Sequence, residues 1–348
     1  MRWEEEKMIL FNNDYAEGAH PKVMERLLQT NMEQTVGYGE DAYCEAAREK
    51  VRKACQAPDA DVHFLVGGTQ ANMTVISAAL RPHQGAVCVQ TGHINVHETG
   101  AVEATGHKVL ALEGTDGKIK ASQVQEMWKE HWADGAHEHI VQPKLVYISH
   151  PTELGTLYTK QELTDLRAVC DACGMYLFLD GARLAYGLAA EGTDVTLADI
   201  AALTDVFYIG GTKSGALFGE CVVIKRREIK EDFRYMIKQK GGMLAKGRLL
   251  GVQFDTLFEG NLYVEMGRHA DRLAMKLKNG LKEKGYHFYI DSITNQQFVI
   301  VDNEKLQEIE KNFVVNYEKR LDENHMVIRI CTSWATKEEN VDKLLDVF

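Results

Sequence analysis

A chain of 348 residues is long enough for two domains, or for one large domain with an appendage. Its 45% hydrophobic and 26% charged residues are ordinary globular values and exclude a wholly disordered, collagenous or coiled-coil protein. With 40 Lys+Arg against 51 Asp+Glu the formal charge is −11, which excludes a general nucleic-acid binder built on a basic face.

The opening MRWEEEKM (1–8) lacks the apolar core of a signal peptide, and no run of 18 apolar residues offers a membrane span. The expectation is a cytoplasmic protein with no membrane partner. The seven cysteines, an odd number scattered from Cys44 to Cys331, read as reduced thiols. Cys170 and Cys173 form a lone C-x-x-C with no second pair at finger-like spacing, so they read as two small helical residues and no metal site is expected.

Taken in chain order, residues 40–56 read as a helix. Short apolar runs at 62–66 (VHFLV), 86–89 (AVCV), 145–149 (LVYIS), 175–179 (MYLFL), 206–209 (VFYI) and 221–224 (CVVI) have the length of strands covered on both faces. Residues 131–143 (HWADGAHEHIVQP) read as a surface loop carrying solvated His137 and His139. In 161–173, Leu163, Leu166, Val169 and Cys170 recur at helical spacing and stop before Gly174. Strands alternating with helices predict a mostly parallel α/β sheet.

After about residue 250 the texture changes. A long charged helix over 262–284 is followed by strand candidates at 286–290, 297–301 and 326–331, then a final helix over 336–348. The expected organisation is a large domain over 1–250 and a smaller α+β domain over 251–348, with the boundary falling near 245–260.

Three segments carry chemistry. The run MYLFLDGAR (175–183) ends a strand in Asp180. In an open parallel sheet ligands bind beyond the carboxyl ends of the strands, although Asp also suits a helix N-cap. The next strand runs into GGTK (210–213). A lysine desolvated in a cleft can lose its proton and act as an amine nucleophile. An Asp and a Lys at successive strand ends suit pyridoxal 5'-phosphate: the lysine forms the Schiff base and the carboxylate keeps the pyridine nitrogen protonated. The third segment, VGGTQAN (66–72), joins a strand to an apolar helix pattern, with a glycine pair and Thr69 at a helix N-terminus where phosphate binds. It is neither a P-loop nor a dinucleotide fingerprint.

With these in place the chain resembles the threonine aldolase family of fold-type I pyridoxal-phosphate enzymes. These lie within the aromatic amino acid β-eliminating lyase and threonine aldolase superfamily. The matching motifs run in order: NNDYAEGAHP (12–21), GYGEDAY (37–43), GGTQAN (67–72), TGHINVHETG (91–100), PTELGTLY (151–158), DGAR (180–183), GGTK (210–213), KGGML (240–244) and VIRICTSWAT (327–336). Together they span nearly the whole chain.

The resemblance implies that Lys213 holds the cofactor covalently, Asp180 pairs with the pyridine nitrogen, and Gly68 and Thr69 hold the phosphate. It implies that His93 stacks on the cofactor ring. Arg183 and Arg329 would grip the substrate carboxylate, with Asn13 standing where the family often has a serine. Tyr38 would lie near the phosphate of a neighbouring subunit in a homo-oligomer, a dimer or tetramer. The fork of an arginine suits a carboxylate; the bland reading of Arg329 is an edge-strand charge, and of His93 a loop residue.

Two departures stand out. Glu153 occupies the position where many bacterial members have a histidine on the substrate hydroxyl. Leu244 replaces an arginine, leaving Lys246 or Arg248 as substitutes. The implied activity is cleavage of a β-hydroxy-α-amino acid, threonine first, to glycine and an aldehyde, with His93, Glu153 or a bound water as the base. The alternatives are a β-eliminating lyase on a β-substituted amino acid and an idle relative used as a scaffold.

Overall fold

The computed structural model describes residues 8–348. All of the opening MRWEEEKM except Met8 lies outside the described residues. The main sheet has seven strands: β1 (Asp61–Leu65), β2 (Gln84–Val89), β3 (Lys108–Leu112), β4 (Gln142–Ser149), β5 (Tyr176–Asp180), β6 (Val206–Gly210) and β7 (Glu220–Ile224). Their spatial order is β1-β7-β6-β5-β4-β2-β3. β7 runs antiparallel to both its neighbours, and every other pair is parallel. The fold is therefore the expected α/β class with a mostly parallel central sheet.

The unbroken apolar runs have a direct cause. Neighbouring residues of one strand enter different cores: Ile148, Leu179 and Phe207 pack on one face of the sheet, and Tyr147, Phe178 and Tyr208 on the other. A strand covered on both faces needs no polar alternation. The six predicted strands are six of these seven. β3 was not expected; it is an edge strand in which only Val109 is buried, so it lacks that two-sided signal.

Helix ends follow local chemistry. The predicted helix at 161–173 spans Lys160–Cys173 and buries Leu163, Leu166, Val169 and Cys170. Thr159 and Glu162 cap its start reciprocally, and Gly174 closes it at φ 62°. The predicted helix at 40–56 spans Ala42–Ala54, with Asp41 accepting from the Cys44 N–H.

Beyond the sheet, the helix Leu262–Glu283 leads to a second, antiparallel sheet of β8 (Gln296–Asp302), β9 (Asn316–Arg320) and β10 (His325–Cys331), in the order β9-β10-β8. Its core gathers Leu273, Leu277, Val299, Ile328, Ile330 and Leu344, together with Phe11 from the start of the chain. The Phe11 carbonyl accepts from the Cys331 N–H at 2.7 Å. That strap brings the 12–14 segment beside the end of β10.

Two expectations need correction. Residues 286–290 form no strand: they meet β8 at the isolated bridge Phe288–Val299, with backbone bonds only from Tyr289 to Phe298 and from Ile300 to His287, while the Tyr286 ring packs on Phe348 and its hydroxyl donates to the Phe348 carbonyl. Residues 131–143 are not one loop. His131 lies in the helix Ala121–Ala133 and is buried, packed edge-on against Trp132; a turn of 3-10 helix covers His137–His139, and β4 begins at Gln142. Among the described residues no helix is long and apolar enough to cross a membrane.

Candidate active site

The parallel strands deliver their carboxyl ends to one edge. Ser149 ends β4 in register with Asp180, which ends β5. β6 ends beside them at Gly210, where a Cβ would collide with the Ala182 carbonyl. Gly210 also pairs with Glu220, so the antiparallel β7 contributes its first residue to the same edge. β1 arrives through the Val66–Gly67 turn, and the helix Gly68–Ala79 starts there with no side-chain cap.

Asp180 does not cap a helix. Its Oδ1 accepts from the Ala182 N–H at 2.9 Å. Its Oδ2 accepts from the Tyr147 hydroxyl and from the Asn72 amide at 3.2 Å. Three donors thus converge on this buried carboxylate. Lys213 follows β6, and its backbone carbonyl accepts from the Tyr186 hydroxyl. Burial and the charge of Arg183 hold its amine below the ordinary lysine range against the opposing pull of Asp14, Asp180 and Glu220.

His93 opens the one-turn helix His93–Val96. Its Nδ1 lies 2.8 Å from Glu98 Oε1. Burial works against its charged form, but Glu98 and Asp180 outweigh burial and raise its pKa. Its backbone N–H donates to Glu153 Oε1 at 3.1 Å, which also accepts from the Ser149 hydroxyl at 2.6 Å. Burial, with Asp180 adding to it, lifts the Glu153 carboxyl above the usual carboxylate range.

The two arginines are not equivalent. The Nε and Nη2 of Arg183 close on Asp14 at 2.7 and 3.1 Å, so the edge expected to grip a substrate carboxylate is already taken by a carboxylate of the chain. Arg329 has only a 3.5 Å contact from Nη2 to the Asn12 carbonyl, and its Nε is buried with no partner among the described residues. Asn13 sits in the same strand-like lead-in, its side-chain oxygen accepting from the Tyr15 N–H at 2.9 Å.

Gly68 faces the Tyr208 hydroxyl, which would stand 2.9 Å from a Cβ there, and Thr69 is exposed at the helix start. Tyr38 stands apart, 48% exposed, with Lys238 Nζ 5.2 Å above its ring. Arg248 is buried and donates to the Thr30 and Glu33 carbonyls, which removes it from the candidates for a phosphate contact.

Sequence reasoning missed Asp14, Asn72, Glu98, Tyr147 and Glu220. Two carried a readable signal. Glu98 follows His93 by five residues across one helical turn, and Glu220 is a charge placed at the start of the buried run CVVI. Glu220 Oε1 accepts from the Thr212 hydroxyl at 3.1 Å, its Oε2 is buried without a partner among the described residues, and burial pushes its pKa up to about 8.

Residues 13–304 match the family described as beta-eliminating lyase. The chain belongs to the beta-eliminating lyase/threonine aldolase family. A solved threonine aldolase of Leishmania major is 45% identical to this family member with a TM-score of 0.95, covering 97% of this chain and 98% of the other. A low specificity L-threonine aldolase of Pseudomonas sp. is 29% identical over 271 residues, 77% of each chain. At 18% identity and a TM-score of 0.72, an aspartate aminotransferase of Thermus thermophilus shares the fold.

The cofactor of this family is pyridoxal 5'-phosphate, and the residues present fit it. The uncapped N-terminus of Gly68–Ala79 offers free N–H groups and a positive dipole end for a phosphate. The floor of the cradle, the Tyr208 hydroxyl, leaves no room for a side chain at position 68. The buried, unpartnered Nε of Arg329 points to an anionic ligand beside it.

Proposed function

We propose that this protein cleaves L-threonine, or a close β-hydroxy-α-amino acid, to glycine and an aldehyde. The observation that carries the reading is the position of Glu153. A part-buried carboxyl with a raised pKa lies beside His93 at the strand-end edge that also bears Asp180 and Lys213.

Pyridoxal 5'-phosphate, when bound, supplies a ring that takes up the electron pair of the broken Cα–Cβ bond. In this reading Lys213 and Asp180 hold the cofactor's aldehyde carbon and pyridine nitrogen, Gly68 and Thr69 its phosphate, and His93 its ring face. Arg329, helped by Asn13 and the remaining N–H groups of Arg183, grips the substrate carboxylate. Glu153 accepts the proton of the β-hydroxyl as that carbon becomes the aldehyde carbonyl. A base whose pKa lies near the working pH does this best, and the raised pKa of Glu153 moves it in that direction. His93, with its raised pKa and its Nδ1 engaged by Glu98, is the better proton donor.

The second reading, β-elimination from a β-substituted amino acid, draws on the family match itself. Product analysis separates the two. With L-threonine, L-allo-threonine, D-threonine and phenylserine offered in turn, aldolase activity yields glycine and aldehyde, whereas elimination yields ammonia and a keto acid. Ammonia without glycine would overturn the aldolase reading.

The assembly we infer is a homo-oligomer, the tetramer included. Met24, Leu28, Met32, Val36 and Tyr38 leave a run of exposed apolar side chains along one stretch of chain, a surface that a second copy would cover. Tyr38 would then serve the neighbour's phosphate. The free cysteines, all buried except Cys173, accord with a cytoplasmic setting.

A further inference from the structure

We propose that Glu98 is a positioning residue for His93, and that Asn72 ties this pair to Asp180 in one hydrogen-bonded chain. The inference deepens the aldolase reading and rests on it for the place of His93 against the cofactor.

The geometry is continuous. His93 Nδ1 lies 2.8 Å from Glu98 Oε1. The same oxygen accepts from Asn72 Nδ2 at 2.6 Å, and that nitrogen donates again, at 3.2 Å, to Asp180 Oδ2. Two carboxylates thus share the two hydrogens of a single amide. The Glu98 side chain is fully buried and Asn72 is 0% exposed.

Buried groups of this kind have few alternatives. An Asn Nδ2 has only two hydrogens, so neither carboxylate can shift without abandoning the amide. A carboxylate beside Nδ1 keeps the proton on that nitrogen and fixes the ring plane. This leaves Nε2 as the nitrogen that changes, donating when the ring is charged and accepting when it is neutral. Free rotation of the ring is prevented, and the face that would lie on the cofactor is held.

Other charged and titratable groups also face His93. Asp180 favours its charged form and Lys213 opposes it. Glu153 lies on its backbone N–H, and the His97 ring sits 5.6 Å away and is itself held low by burial and then by His93. Among the described residues, Glu98 is the carboxylate hydrogen-bonded to the ring.

The test uses histidine-labelled holoenzyme followed by ring-nitrogen NMR, with His93 assigned by the signal lost in His93→Asn. In the unmutated enzyme Nδ1 should carry a proton at every pH, and any neutral form should be the Nδ1–H tautomer. A neutral Nε2–H tautomer would overturn the proposal without any variant being made. In Glu98→Gln the midpoint of His93 should fall by about 1–3 pH units, the effect of removing an opposite charge in contact. Glu98→Asp, which keeps the charge, should restore part of the fall. An unchanged midpoint in Glu98→Gln, with the cofactor still bound, would also overturn it. These readings do not depend on the substrate. If the aldolase assignment fails by product analysis, the midpoint still decides the role of Glu98.

Discussion

Asp14 and Arg183, 169 positions apart in the chain, form a buried two-point ion pair, Nε to Oδ2 at 2.7 Å and Nη2 to Oδ1 at 3.1 Å. Asn295 completes the carboxylate with a third donor at 2.9 Å. Burial opposes the charge on Asp14, but Arg183 and Lys213 outweigh it and hold the carboxyl below its usual range. Removing one partner of such a pair strands the other charge, at a cost of about 3–5 kcal/mol. Asp14→Asn should therefore lower stability by about that amount in urea denaturation. The double variant Asp14→Asn/Arg183→Gln should lose less than the sum of the two single changes. Additive losses would mean that the two side chains do not work as a pair.

The same pair separates the roles of the two arginines. Arg329, with its Nε unpartnered, is the freer clamp for a substrate carboxylate. Arg329→Lys keeps the charge and loses the fork, so KM for threonine should rise by roughly 10- to 100-fold, the worth of one charge-assisted hydrogen bond of about 1.5–3 kcal/mol. Arg183→Lys should act mainly on stability. Loss of cofactor absorbance in Arg329→Lys at constant KM would move Arg329 to the phosphate site.

Lys213→Ala should abolish turnover together with the visible absorbance of the lysine-bound cofactor. Its backbone contact from Tyr186 is unaffected, so the fold should persist by circular dichroism. A variant that still formed a reducible lysine adduct at full occupancy would show that another amine holds the cofactor.

The legible parts of this protein share one property: their signal is local. The strands β1, β2 and β4 to β7 were readable because burial on both faces leaves continuous apolar runs, and Asp180 and Lys213 because each directly follows such a run. The junction at 66–68 was readable as glycines between a strand and a helix. Asp14 and Asn72 were not, since their meaning lies in partners 169 and 108 positions away; Glu98 showed only its spacing from His93, not its contact with Asn72 26 positions away. Arg183 shows the same limit in reverse. Its motif was visible, but the carboxylate that occupies its fork belongs to a distant segment strapped in by Phe11 and Cys331.

Glu153 gives a pH test. A base must be ionised, and the pKa of Glu153 is raised by burial. The acidic limb of kcat should therefore lie above the usual carboxylate range, with activity growing as pH rises through it. Glu153→Gln should remove that limb and lower kcat by about 100-fold or more, the usual worth of general base catalysis. Glu153→His, which restores the residue of many family members, should recover turnover with a limb in the imidazole range. An unchanged profile in Glu153→Gln would pass the role to His93 or a bound water.

Glu220 makes the sharpest stability prediction. Burial pushes its carboxyl from 4.5 up to about 8. Between those two pH values the folded protein keeps a proton that the unfolded chain has released. By linkage, stability then falls as pH rises through this window, at up to about 1.4 kcal/mol per pH unit. Lys213, held below its ordinary range and itself acted on by the charge of Glu220, works in the opposite direction. Glu220→Gln keeps an oxygen for the Thr212 hydroxyl and cannot ionise. Its Tm should match that of the unmutated protein near pH 4.5 and exceed it by a growing margin towards pH 8. Parallel curves of Tm against pH would show that Glu220 is ionised in the folded protein throughout, the opposing charge of Lys213 outweighing its burial.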